Sequence, residues 1–303
     1  KLNQTLQESD QKNCEGIVFL QYTQSELDHA YNQRAFAPNS EHVRKRLSVL
    51  SKDIRLRNPP SGRHSYGTEE IEQLDIYSAG RTNSPVNIYI HGGAWRKGSA
   101  AVSAYLAEVL TKAGSTLVVP DFYNVEQAND SLRTMVSQVR SAIAWVYQNS
   151  KKLGLDDNRI YVSAHSSGAH LAACTLITDW VKDFGLPADI LKGAFLCSGM
   201  YDLRGPRLSA RSSYVKFDDP MEEELSPQRH VNKINTPIIL AYGTQETPEF
   251  QRQAIEFAST LELAGKQVEL IVGHEYNHYE IRETFANPYG LAGKAILSQM
   301  KLS

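Results

Sequence analysis

Apolar positions along this chain switch repeatedly between a period of two and a period of three to four. Residues 25–32 read as a short helix with Ser25 placed to cap it and Asp28 three positions on. Positions 41–56 carry Val43, Leu47, Leu50 and Ile54 at helical spacing, and Pro59, Pro60 and Gly62 end that run. From Gln73 the period shortens. Leu74, Ile76 and Tyr77 predict a first strand, 85–91 a second and 116–120 a buried third, with a helix over 100–113 closed by Gly114. The clearest helix follows: Leu132, Met135, Val136, Val139, Ile143 and Val146 form one stripe, and Gly154 stops it. Further strands are predicted at 159–165, 191–196, 237–243 and 268–272, with helices after 166, over 249–263, from His278 and from Leu291. Alternating strands and helices imply an α/β fold, with a mostly parallel central sheet and helices on both faces. We expect residues 1–303 to form one domain, with residues 1–60 a helical arm too short to bury its own core. Residues 204–231 are charged, irregular and interrupted by proline, the natural place for a small cap segment.

Composition narrows the function classes. The 303 residues are 41% hydrophobic and 22% charged, with a formal net charge of −2 and no long run of one sign. That balance gives no electrostatic footprint for nucleic acid or an anionic membrane. No apolar run approaches the ~20 residues of a membrane span. Lys1 to Asn13 are polar, without the apolar core of a signal peptide. Three cysteines, Cys14, Cys174 and Cys197, show no paired spacing, which argues against a disulfide scaffold or structural zinc and fits a reducing cytoplasm.

The chemistry gathers around Ser166. A strand through Ile160, Val162 and Ala164 runs into a turn at Ser166 and then into small residues at helical spacing. Ala164 and Gly168 flank the serine two positions away on each side, as a nucleophile elbow requires, because a bulky side chain at either flank would clash. The usual first glycine of that motif is here Ala164. A solvated strand–helix turn is the plain alternative.

Three further segments each follow a predicted strand, where α/β sheets collect their ligands and catalytic groups. In the segment from His91 to Trp95, Gly92 and Gly93 can turn backbone amides inward. Amides of Gly93 and Ala94, with that of Ser167, could hold an oxyanion, whereas His91 reads as a loop brace. After the strand ending at Gly243, Glu246 is the favoured orienting carboxylate; Glu249 falls in the first turn of the next helix, where an acid complements the dipole, and Asp202 is the structural competitor. After the last strand, His278 fits a general base better than His274. The chain order of serine, acid and histidine is the order this arrangement needs. A serine hydroxyl is a weak nucleophile until an imidazole removes its proton and a carboxylate fixes the imidazole's tautomer.

With these residues in view the chain resembles the kynurenine formamidases (arylformamidases) of the α/β-hydrolase superfamily. The shared elements are His91 to Trp95, the nucleophile segment from Ala164 to Leu171, Glu246 to Phe250, Asn277 to Glu280, and Tyr31 to Arg34 near the N-terminus. Departures are Ala164, Ser167, Glu246 and Asn277. The resemblance implies hydrolysis of an N-formyl aryl amide by a serine hydrolase without metal or organic cofactor. Ser166, Glu246 and His278 would be catalytic. Trp95, Tyr31 and Tyr201 are the aromatic candidates for the substrate pocket, with Tyr22 and Tyr214 as further ones, and packing is the plain alternative for each. A carboxylesterase of broader acyl specificity shares every catalytic group, and a non-catalytic small-molecule binder is the third reading. The expected partner is a small aryl amide or ester, not nucleic acid or membrane, and a homodimer is left open.

Overall fold

The structure is a computed structural model that describes residues 16–302; Cys14 and the stretch from Lys1 to Asn13 lie outside the described residues. Eight strands form one sheet: β1 (Gly62–Ser65), β2 (Gln73–Tyr77), β3 (Ser84–Ile90), β4 (Thr116–Pro120), β5 (Leu155–His165), β6 (Gly193–Cys197), β7 (Ile238–Gly243) and β8 (Val268–Gly273). Their order is β1-β2-β4-β3-β5-β6-β7-β8. The β1–β2 and β2–β4 pairs are antiparallel and the rest are parallel.

The helices are α1 (Gln24–Ala30), α2 (Ser40–Arg57), α3 (Ala107–Lys112), α4 (Leu132–Asn149), α5 (Ser167–Leu176), α6 (Trp180–Phe184), α7 (Arg204–Leu208), α8 (Asp219–Glu224), α9 (Pro248–Leu263), α10 (Glu280–Glu283) and α11 (Leu291–Gln299). The strand period divides the interior in two. Val86, Ile88, Ile160, Val162, Leu196 and Leu240 pack with Met135 and Val139 of α4, Leu171 of α5 and Phe257 of α9. Tyr89, Leu117, Tyr161, Phe195 and Ile239 point the other way, onto Val43 and Leu47 of α2, Leu110 of α3 and Ile296 of α11. Burial on both faces explains the near-continuous apolar runs of the parallel strands.

Several sequence expectations shift. Helix α1 is capped by Thr23, whose hydroxyl accepts from the Glu26 amide while Glu26 returns a bond to the Thr23 amide. Ser25 therefore lies inside the helix and is not its cap. Strand β1 has no apolar residue to announce it; Arg63 instead reaches Asp75 at 2.8 Å and Asp121 at 2.7 Å. The 100–113 helix divides into a 3-10 turn, Ala101–Leu106, and α3. Residues 204–231 are more ordered than their composition suggests. Helices α7 and α8 and two 3-10 turns cover the segment, with Val215, Met221 and Leu225 buried in the core. Arg229 pairs with Glu222 and Glu223 inside the segment and ties it to Asp202 outside. Helix α1 crosses to meet it, with Gln24 donating to the Leu208 carbonyl and the Ala210 amide donating to Asp28. No helix among the described residues is long and apolar enough to cross a membrane.

Candidate active site

Ser166 stands where β5 gives way to α5, with φ 60° and ψ −132°. An L-residue held in that region stores of order 1–3 kcal/mol, and such strain persists only where the surroundings impose it. Here they do. The Ser166 amide donates to the Cys197 carbonyl on β6 at 2.9 Å. A Cβ on Gly168 would stand 2.2 Å from the Ile90 oxygen, and one on Gly92 would stand 2.5 Å from the His165 oxygen. The end of β3 and the elbow thus touch backbone to backbone. Ala164, fully buried between Ile90 and Leu196, is small enough to replace the usual glycine.

That close approach places the His91–Trp95 loop beside the serine. Gly93, Ala94 and Trp95 all have positive φ, at 130°, 55° and 61°. The Trp95 amide is held by the Ser167 hydroxyl at 3.0 Å. Among the described residues, the amides of Gly93, Ala94 and Ser167 have no acceptor in the chain. His91 stacks on Phe122 and its Nδ1 lies 3.1 Å from the Gly92 carbonyl, so it braces the loop.

His278 lies in the turn between β8 and α10. Its Nε2 is 2.8 Å from the Ser166 Oγ, and its Nδ1 bonds the Glu246 Oε1. The turn is fixed by Asn277, whose Oδ1 accepts from the amides of Tyr279 and Glu280. Its Nδ2 also donates to the Asn39 Oδ1 at 2.8 Å, a bond aspartate could not make. Glu246 follows β7, and its second oxygen accepts from the Gly243 amide at 2.9 Å and the Ser198 hydroxyl at 2.8 Å. Burial pushes the Glu246 carboxyl up to about 7, against those two donors. Burial also holds His278 well below its ordinary value, and the charges of Arg282 and Arg211 push the same way. The imidazole is therefore neutral near pH 7 and free to take a proton.

The other acid and base candidates fall elsewhere. His274 is exposed beyond the strand end. Asp202 pairs with Arg229 and caps the Arg204 amide, so it does not reach His278. Glu249 is more than a complement to a helix dipole: it is fully buried, paired with Arg252 at 2.7 Å and bonded by the Tyr31 hydroxyl at 3.1 Å. Tyr31 also accepts from Gln253. Trp95 is buried with its indole N–H on the His170 Nδ1, and Tyr201 is buried and stacked on Phe257. Tyr22 and Tyr214 are partly buried at the edge of the same core. Ser198, Arg211 and Phe250 stand near the site and were not among the sequence candidates. Ser198 had a usable signal, since it follows strand β6 directly. Cys174 and Cys197 are free and buried, and burial pushes the Cys174 thiol up to about 12. Among the described residues, no group of three His, Cys, Asp or Glu side chains could hold a metal ion. The site itself is nearly closed, with Ser166 8% exposed. Two surface hollows, of about 470 and 440 Å³, are lined by Glu69, Tyr123 and Arg133 and by Tyr22, His29 and Pro248, and neither contains Ser166.

The sheet order, the strained elbow and the serine–histidine contact above the strand ends define an α/β-hydrolase. The esterase LipW from Mycobacterium marinum has the same fold, with a TM-score of 0.68 at 19% identity over 89% of this chain and 90% of that one. Residues 74–190 match the BD-FAE family. A kynurenine formamidase from Danio rerio is 35% identical over 246 residues, 78% of this chain and 80% of that protein. The chain belongs to the kynurenine formamidase family. An isoprenylcysteine alpha-carbonyl methylesterase from Arabidopsis thaliana is 26% identical over 71% of this chain and 56% of that enzyme. The protein is thus a hydrolase of the formamidase and esterase kind.

Proposed function

We propose that Ser166, His278 and Glu246 act as nucleophile, base and orienting acid, and that the protein cleaves an aryl formamide of the N-formylkynurenine kind through an acyl-enzyme. The observation that carries this reading is the unbroken chain from the Ser166 Oγ through both ring nitrogens of His278 to Glu246. Ser166 would attack the formyl carbon as its proton passes to Nε2. The amides of Gly93, Ala94 and Ser167 would take the charge that develops on the carbonyl oxygen. Nε2 would then return the proton to the departing aryl nitrogen. Water, deprotonated by His278 Nε2, would add to the formyl ester; collapse would release formate as Nε2 returned that proton to the Ser166 oxygen. Each step uses groups of this chain and water, so the reading assigns no metal or organic cofactor. The same reading takes residues 1–303 as one hydrolase domain of a reducing cytoplasm.

A second reading, carboxylesterase, is favoured by the methylesterase relative. Turnover of N-formylkynurenine against p-nitrophenyl acetate separates the two. We expect the formamide to have the higher kcat/KM; fast ester cleavage with an inert formamide would replace the first reading by the second.

The acid pair also sets a pH profile. The working state has ionised Glu246 and neutral His278; a proton added to His278 ends base catalysis, and one added to Glu246 slows it by removing the charge that stabilises the imidazolium. Activity should therefore fall as pH drops through about 7, the value to which burial raises Glu246. Glu246→Gln removes that carboxyl and leaves the imidazole with its lowered affinity for protons. The acid limb of the slower variant should move below the ordinary imidazole value of about 6.5. Steady-state profiles of both proteins check this, and an unmoved limb contradicts it.

A further inference from the structure

The cap segment brings one cation to the candidate site without a counter-charge. Arg211 lies in the 3-10 turn Ala210–Ser213. Its guanidinium carbon is 5.5 Å from the Trp95 ring centroid and 5.8 Å from those of Tyr31 and Phe250. Phe250 in turn meets the His278 ring edge-on at 5.2 Å, and the Trp95 amide is tied to Ser167 next to the nucleophile. Arg211 therefore belongs to the same cluster as Ser166 and His278, close enough that its charge opposes protonation of His278. Two of its nitrogens are used: Nη1 donates to the Tyr214 hydroxyl at 3.0 Å and Nη2 to the Tyr31 carbonyl at 3.2 Å. The third, Nε, is buried with no partner.

Arg282, beyond the cap on α10, also has a buried Nε without a partner and acts on His278, but the neighbouring arginines of the cap, α4 and α9 are engaged. Arg207, Arg229, Arg133 and Arg252 each face at least two carboxylates. Among the described residues, no carboxylate lies within ion-pair distance of Arg211. A buried donor on an unpaired cation is costly to maintain unless something satisfies it part of the time. Aromatic faces stabilise the charge but leave the in-plane N–H directions open. An anion arriving in that plane would gain a charge-assisted hydrogen bond in a setting poor in water.

We propose that Arg211 reads a carboxylate on the substrate, so that the enzyme acts on anionic aryl amides in preference to their neutral counterparts. The proposal rests on the hydrolase reading above. It makes Arg211 a specificity residue and gives the aromatics Tyr31, Trp95 and Phe250 a role as the walls that hold it. A neutral alkyl or aryl ester would leave Nε unsatisfied; a substrate bearing a carboxylate beside its scissile amide would occupy it.

The test compares 2-formamidobenzoate with formanilide, which lacks only the carboxylate. Wild-type enzyme should favour the acid by at least about 10-fold in kcat/KM, and Arg211→Met should bring that preference close to one. Arg211→Lys, which keeps the charge without the planar fork, should retain part of it. Because the readout is a ratio within one protein preparation, partial misfolding cancels. No preference in wild type, or an unchanged ratio in Arg211→Met, overturns the proposal. A second arm needs no turnover: benzoate should raise the melting temperature of wild-type protein at concentrations where benzamide does not. Equal shifts overturn the carboxylate site. Failure of wild-type protein to cleave any amide or ester, with benzoate still bound selectively, would instead remove the hydrolase reading and leave the anion site standing.

Discussion

Ser166→Ala should lower kcat/KM for the formamide by about 10,000-fold or more while the fold survives. The Ser166 Oγ is the only atom removed, and it is the atom that faces His278 Nε2 at 2.8 Å. Without it, no covalent formyl ester can form, and turnover falls to what positioning and inward amides provide over water. Stability should change little. The strained φ of 60° is imposed by the elbow's backbone contacts with Cys197, Ile90 and His91, none of which uses the hydroxyl. Alanine can sit in the same turn at little added cost, as Ala94 does at φ 55°. Purified variant and wild type should melt within a few degrees of each other, and the kinetic comparison then stands free of unfolding. Retention of a tenth or more of the wild-type rate, with the protein folded, would refute the nucleophile assignment.

Much of this site was readable from the chain because strand ends announce themselves. A strand buried on both faces must be apolar, and a residue just past its carboxyl end must turn. Ser166, Glu246, His278 and the His91–Trp95 loop all sit at such places, so the chain itself marks them. What escaped was of another kind. Arg211 lies in a charged, proline-broken segment with no period, and its position beside Trp95 and Phe250 depends on how the cap folds back over the sheet. Nothing in residues 204–231 marks one arginine as unpaired while Arg207 and Arg229 next to it are engaged. Glu249 escaped for a related reason. A first-turn acid has an adequate local explanation, and only the tertiary contact with Tyr31, 218 positions away, shows it to be buried. The Asn277 departure also needed a distant partner, since its amide is used by Asn39. Local period reveals what each element does alone; long-range pairing of polar groups does not repeat and leaves no period.

His278→Ala should be nearly as damaging as loss of the serine, about 1,000- to 10,000-fold in kcat, because base and nucleophile act as one unit and their losses do not add. The double variant with Ser166→Ala should therefore be no slower than the worse single variant, and a multiplicative loss would show that the two residues act separately. Glu246→Ala should cost less, since the imidazole can still accept a proton once it is no longer held in one orientation. Folding should tolerate His278→Ala. Glu246 keeps the Gly243 amide and the Ser198 hydroxyl as donors, and burial already raises its carboxyl to about 7, so it can meet the loss of its partner by taking up a proton. The deciding comparison is with Asp202. That carboxylate is occupied by Arg229 and by the Arg204 amide. Asp202→Asn should alter turnover by no more than a few-fold, as substitutions away from the reacting atoms do. Should Asp202→Asn instead slow the enzyme more than Glu246→Gln, the imidazole would have to take its orientation from a different carboxylate, and the bond between His278 Nδ1 and Glu246 would not be the one used in catalysis.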